Sequence, residues 1–214
     1  MKKQNPIIGW TLPIALSLGI ICFAILFSLY FRELYYWDMK HLAISQSAHM
    51  NEDEIKHNYD TLINYLTDEK VEKLVLPSFG MSNEGETHFK DVKNIFILIK
   101  KALYVLGIYS LFGIFMSVTK KQYKFLKHTA IGILLGPLGI LSLAMIDFDQ
   151  AFVIFHNLAF SNDYWIFDPV KDPVIMILPQ DFFLHSFVLI IGVILVAALI
   201  LTILYRLIKH QSNN

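Results

Sequence analysis

The sequence predicts an all-α membrane protein: four transmembrane helices with both termini inside, and an extracellular cap made by the 32–94 and 147–181 connections. Three observations predict it. The 214 residues are 55% hydrophobic and have a mean hydropathy of +0.50, too apolar for an ordinary soluble domain. Four apolar segments stand out, at 7–31, 102–118, 129–146 and 182–205. Their flanks differ in charge, because Lys and Arg accumulate on the cytoplasmic side. Lys2, Lys3, Lys120, Lys121, Lys124, Lys127, Arg206 and Lys209 make eight bases without an acid on one side. The 32–94 connection holds twelve acids against seven bases, and 147–181 holds six against one.

The first helix is expected at about 7–31. Its apolar run is too long for a secretory h-region, and bulky Ile21 precedes Cys22 where a lipoprotein signal peptidase needs a small residue, so it reads as uncleaved. Cys22, the single cysteine, offers no intrachain disulfide and reads as a small buried hydrophobe. Tyr30, Phe31, Tyr35, Tyr36 and Trp37 read as an interfacial aromatic belt. After it, Asn51 and Glu54 have capping-box spacing, and Ile55, Tyr59, Leu62, Ile63 and Leu66 form one helical stripe. Pro77, Ser78 and Gly80 then break the chain.

The second helix is expected at about 95–118, beginning upstream of Lys100 and Lys101, which snorkel at the outer interface. The third, at about 129–150, carries Gly132, Gly136, Pro137 and Gly139; Gly132 and Gly136 form a small-xxx-small pair for close helix packing. The fourth is expected at about 182–206. The whole reads as a single membrane domain, 1–214, whose formal net charge of zero gives no reason to expect a nucleic-acid partner.

Candidate chemistry is confined to a few polar residues. Of eight histidines, His41, His49 and His57 read as solvated or capping, His128 and His210 as interfacial, and His185 as undecided. His88 and His156 both reach the outer membrane surface by topology, although far apart in sequence. H-E-x-x-H spacing is absent, and a mixed metal site with Glu84, Asp91 or Asp163 is the weaker reading. No Ser lies in a G-x-S-x-G elbow, and Cys22 is in mid-membrane. General acids and bases without a protein nucleophile fit a reaction whose substrate supplies its own nucleophile. The two histidines could equally cap backbone carbonyls, and the pattern alone does not choose. Asp168-Pro169 and Asp172-Pro173 are turn formers, and Tyr164-Trp165 could anchor at the interface. Asn162 and Asp163 are harder to dismiss, because an anchor does not need them.

The strings NEGETHFKDVKNIF and HNLAFSNDYWIFDPVKDPVIMILPQDFF resemble the bacterial lipoprotein intramolecular transacylase family of Gram-positive organisms. The four-span layout with an external cap is similar as well. The resemblance implies a diacylglyceryl lipoprotein substrate. The implied reaction moves the sn-2 acyl chain to the α-amino nitrogen of the N-terminal cysteine, giving the lyso form. It implies His88 and His156 as the catalytic pair in the cell membrane, with the site at the extracellular face and no cofactor. On this basis His88 is assigned as the primary base and His156 as its acid or oxyanion partner. Glu84 and Asp91 would orient or charge-balance His88. Asn162, Asp163 and Asp168 would shape the second connection or position the ammonium, and Tyr164 and Trp165 would be walls. Membrane lipids are expected partners, and the sequence leaves the oligomeric state open. The alternative is a non-enzymatic membrane sensor or assembly factor that uses its cap for binding.

Overall fold

A computed structural model describes residues 6–211, without the side chains of 6–8, 136 and 138–146. Lys2 and Lys3 lie outside the described residues, as does the packing around Gly136 and Gly139. Eight α-helices account for most of the chain: α1 (Pro6–Tyr30), α2 (Arg32–His41), α3 (Ile44–Ala48), α4 (Glu52–Thr67), α5 (Asn83–Thr119), α6 (Lys124–Ile146), α7 (Phe148–Ala159) and α8 (Gln180–Gln211). A short 3-10 helix, Pro173–Ile177, precedes α8, and no strand forms among the described residues. Three stretches of the described residues, Gly9–Tyr30, Asn83–Thr119 and Gln180–Gln211, are long and apolar enough to cross a membrane.

Several helices differ from the bounds expected at 7–31, 95–118, 129–150 and 182–206. α1 stops at Tyr30, because Phe31 leaves helical geometry with ψ 72°. α5 starts at Asn83, well upstream of 95, because the Ser82 hydroxyl accepts from Gly85 N at 3.0 Å and caps its first turn. α6 ends at Ile146, where Asp147 turns extended and caps a separate helix, accepting from Gln150 N at 3.0 Å. The connection expected after the third span therefore opens as helix α7. α8 is longer at both ends than 182–206.

Two compact units result. The first comprises Met1–Leu26, Ile99–Met145 and Leu189–Asn214. Small residues set its helix approaches: a Cβ added to Gly132 on α6 would lie 2.7 Å from Ser17 Oγ on α1. Gly113 on α5 leaves similar room for Leu12. Its interior is apolar, with Ala24, Ile133, Ile194 and Ala198 in one cluster and Leu12, Phe125 and Leu126 in another.

The second unit comprises Phe27–Leu98 and Ile146–Val188. Its core gathers α2, α3, α4, the start of α5 and the 3-10 turn. The expected α4 stripe is buried throughout, and Asn51 Oδ1 accepts from Glu54 N at 2.8 Å. Tyr35 belongs to this core and not to an aromatic belt. It is fully buried, stacks on Tyr59 at 3.6 Å, and donates to the Ile177 carbonyl at 2.7 Å. Tyr36 likewise turns inward to donate to Asp60 at 2.6 Å, whereas Tyr30, Phe31 and Trp37 remain exposed. His185 on α8 meets buried Asp38 on α2 at 2.6 Å. Buried Lys93 donates to the carbonyls of Asp68 and Val71 and lies over the Tyr65 ring. A charge buried this way is tolerated because carbonyl oxygens and a ring face replace water.

The start of α5 is fixed by buried Asp172. One carboxylate oxygen accepts from Ser82 N and the other from Ser82 Oγ, both at 2.8 Å. The negative charge also suits the positive end of the helix dipole. Gly85 permits the approach, since a Cβ there would meet Asp172 Oδ1 at 2.3 Å. Gly85→Ala is therefore expected to destabilise the chain by about 1–3 kcal/mol, whereas Gly80→Ala, with nothing within 4 Å, is expected to be nearly neutral. Paired thermal unfolding curves in detergent check this; equal melting temperatures would contradict it.

Candidate active site

His88 and His156 come together inside the second unit. His88 lies in the second turn of α5, on the segment fixed by Ser82 and Asp172, and is buried. His156 lies near the end of α7 and is also buried. Their ring centroids are 6.1 Å apart, and no hydrogen bond joins them.

Aromatic rings enclose the pair. Phe160 packs edge-on to His88 at 4.8 Å and stacks on His156 at 5.7 Å. Phe167 meets His88 at 5.4 Å, Phe152 meets His156 at 4.1 Å, and Trp165 stacks on His156 at 4.7 Å. Phe152 also touches Phe183 of α8 at 5.6 Å, while Gln180 donates to Asp149 at 2.8 Å, tying the two helix starts together.

The imidazoles sit in different electrostatic settings. A 37-residue α5 is about 55 Å long at 1.5 Å per residue. That exceeds the ~30 Å hydrocarbon layer, and its charged first turns, with His88, belong outside the apolar span. Burial, reinforced by neighbouring His156, holds His88 down to about 4 against a weaker upward pull from Asp91. Burial also lowers His156, opposed by its bond to the Phe152 carbonyl. That bond, from His156 Nδ1 at 2.7 Å, fixes the tautomer: a carbonyl only accepts, so Nδ1 carries the proton. The neutral ring therefore has its lone pair at Nε2.

The remaining expected residues divide into two groups. Asp91 is half-buried and accepts from Asn162 Nδ2 at 3.5 Å; Asn162 Oδ1 accepts from Tyr164 N at 3.2 Å. Asp91 acts on His88 by its charge, Trp165 packs on His156, and Asn162 reaches the pair only through Asp91. Glu84 is exposed, and the charges acting on His88 are those of His156 and Asp91. Asp163 is exposed and uses its backbone carbonyl to close a turn with Ile166 N at 3.0 Å. Tyr164 is exposed, and Asp168 shapes a turn by accepting from Val170 N at 2.9 Å. Among the described residues, no three His, Cys, Asp or Glu side chains gather as metal ligands would.

Sequence reasoning anticipated aromatic walls and named Trp165, which packs on His156, and Tyr164, which is exposed; it did not pick out Phe152, Phe160 and Phe167, and it missed the roles of Ser82, Gly85 and Asp172. Nothing local marks Asp172, because its partner is 90 residues away.

The sequence profile of the lipoprotein intramolecular transacylase family, Lit, matches residues 10–183. An in meso structure of the membrane-integral lipoprotein intramolecular transacylase Lit from Bacillus cereus superposes with a TM-score of 0.95 at 37% identity, covering 97% of each chain. Two in meso structures of histidine variants of that protein, one to arginine and one to alanine, each give a TM-score of 0.88 at 36% identity. They cover 97% of this chain and 93% and 94% of theirs. No curated protein sequence matches. The resemblance read from the two motifs is thereby borne out: the chain belongs to the lipoprotein intramolecular transacylase family, Lit, a family of acyltransferases.

Proposed function

We propose that this chain moves the sn-2 acyl group of a diacylglyceryl-modified N-terminal cysteine to that cysteine's own α-amino nitrogen, giving the lyso form of the lipoprotein. The observation that carries the reading is the pair of buried imidazoles 6.1 Å apart inside an aromatic cage. Ester aminolysis within one molecule needs proton transfer and confinement, and both are available there.

His156 is the base in this proposal, reversing the order expected from sequence. Its Nε2 lone pair is free, and the Phe152 carbonyl supports the charge that a second proton would bring. His88, held near 4, is too weak a base for an amine whose reference pKa is about 8, and serves as a neutral partner to the tetrahedral intermediate. Asp91 and Asn162 would orient the ammonium before it loses its first proton to solvent, which leaves His156 free for the proton released on attack. Glu84, Asp163, Tyr164 and Asp168 act at most on the shape of the surrounding loops.

The membrane setting belongs to the same proposal. α6, at 23 residues, is about 35 Å long, enough to serve as a fourth span beside the three described apolar stretches. The lysines at 120–127, with Arg206 and Lys209 in the last turns of α8, support a reading of 1–214 as a single membrane domain with both termini inside and the 32–94 and 147–181 connections as its extracellular cap. α7 buries His156 and leaves Val153, Ile154, Phe155 and Leu158 exposed, so lipid can meet the helix that holds the base. A diacylglyceryl substrate can then reach the pair without leaving the bilayer.

His156→Ala and His88→Ala are each expected to lower conversion to the lyso form by about 10² or more while the protein still inserts. Mass spectrometry of one lipoprotein, locating acyl on nitrogen or on the sn-2 oxygen, reads the outcome. Full conversion by both variants would refute the assignment. Stability gives a second signature. Folded His88 protonates only near 4, against about 6.5 unfolded. The unfolded chain therefore binds more protons in that window, and His88's contribution is complete above about 6.5 and is lost as pH falls toward 4. Between about pH 7 and pH 4.5, the parent's melting temperature is expected to fall more than that of His88→Gln; equal falls would contradict the burial argument.

A further inference from the structure

The Trp165 indole raises a question that its role as a wall does not answer. Its Nε1 is buried and meets no hydrogen-bond partner among the described residues; Nδ1 of His88 is in the same condition. An indole nitrogen is a donor only, and a buried donor left unpaired costs about 1–3 kcal/mol. A phenylalanine would supply the same apolar face without that cost. Asn58, Lys93 and Asp172, buried in the same unit, all find partners.

The indole is also firmly held. It lies nearly parallel to His156, at 4.7 Å and 29°, and meets Phe152 edge-on at 6.4 Å. Its loop is closed on both sides, by Tyr164 N to Asn162 Oδ1 and by Ile166 N to the Asp163 carbonyl. A rigid, desolvated N–H beside the base is the arrangement that stabilises charge developing on oxygen, because it needs no reorganisation during reaction.

We propose that Trp165 is a catalytic residue: its indole N–H donates a hydrogen bond to the ester carbonyl oxygen as that atom becomes the oxyanion of the tetrahedral intermediate. This deepens the reaction proposed above and rests on it. The amine lone pair forms the new C–N bond while the carbonyl π pair moves onto oxygen. His156 Nε2 takes a proton from the nitrogen. Collapse restores the C=O bond and breaks the bond to the glyceryl oxygen, which leaves with the proton from His156. Trp165 keeps its own proton throughout and contributes only the hydrogen bond.

The test replaces Trp165 by β-(3-benzothienyl)alanine, which exchanges N–H for sulfur and keeps the bicyclic stack, with Trp165→Phe as a second variant. Full-length protein in detergent is assayed with a synthetic diacylglyceryl-cysteine peptide. Both variants are expected to lose about 10²-fold in kcat. Their affinity for a non-reacting dialkyl-ether peptide should stay within about 3-fold of the parent, because the bond strengthens only as charge develops. Parent-like kcat in the benzothienyl variant would overturn the proposal, as would an equal loss of ether-peptide affinity, which marks a wall only. His156→Ala in the same assay separates the two levels. If it is inactive while the benzothienyl variant is fully active, only the Trp165 proposal fails; if it turns over normally, the reaction reading fails too.

Discussion

The contact between Asp172 and the first turn of α5 holds the helix that carries His88 against the aromatic loop that follows α7. Its carboxylate binds the Ser82 backbone and hydroxyl, and Ser82 in turn caps the helix through Gly85 N. His88 follows less than two turns later. On the other side, Asp172 ends the loop that supplies Phe160, Trp165 and Phe167, and its own N–H is bound by the Asp168 carbonyl at 2.8 Å. One buried carboxylate thus sets where the loop's rings stand relative to the helix's imidazole. The helix dipole favours the charge there, and the absence of a Cβ at Gly85 allows it to come close.

Burial in that cage has a chemical consequence. Apolar rings disfavour an imidazolium, so both histidines are neutral at neutral pH, yet the Phe152 carbonyl leaves His156 better able than His88 to accept a proton. Two residues of one type are thereby given different proton affinities by their surroundings. Polar groups are few here, so under the proposed reaction a flexible diacylglyceryl chain would be confined mainly by shape, which lowers the entropic cost of closing a medium-sized ring.

Much of this was legible in the sequence. Apolar runs marked the long helices, Asn51 with Glu54 marked the start of α4, and its stripe from Ile55 to Leu66 is the stripe that is buried. The family motifs pointed to His88 and His156. Helix α7 was also legible in principle: Asp147 and Gln150 have capping-box spacing, and Phe152, Phe155, His156 and Ala159 follow at helical intervals. The adjoining apolar run hid it. What could not be read were contacts set by tertiary packing. Tyr35 looks like an interfacial aromatic until Tyr59 and Phe182 close over it, and Lys93 looks solvated until the 68–71 turn folds across it. The His156 tautomer likewise depends on one carbonyl in the preceding helical turn.

The central claim is that the substrate's own amine attacks its own ester while the protein only moves protons and holds geometry. A crossover experiment tests this most directly. Two diacylglyceryl-cysteine peptides are mixed and converted together, one deuterated in both peptide and sn-2 chain, the other unlabelled. The account predicts N-acyl products of the two parental masses alone. Products that combine the labelled peptide with the unlabelled chain, or the reverse, would show that the acyl group leaves its own molecule and would contradict the account.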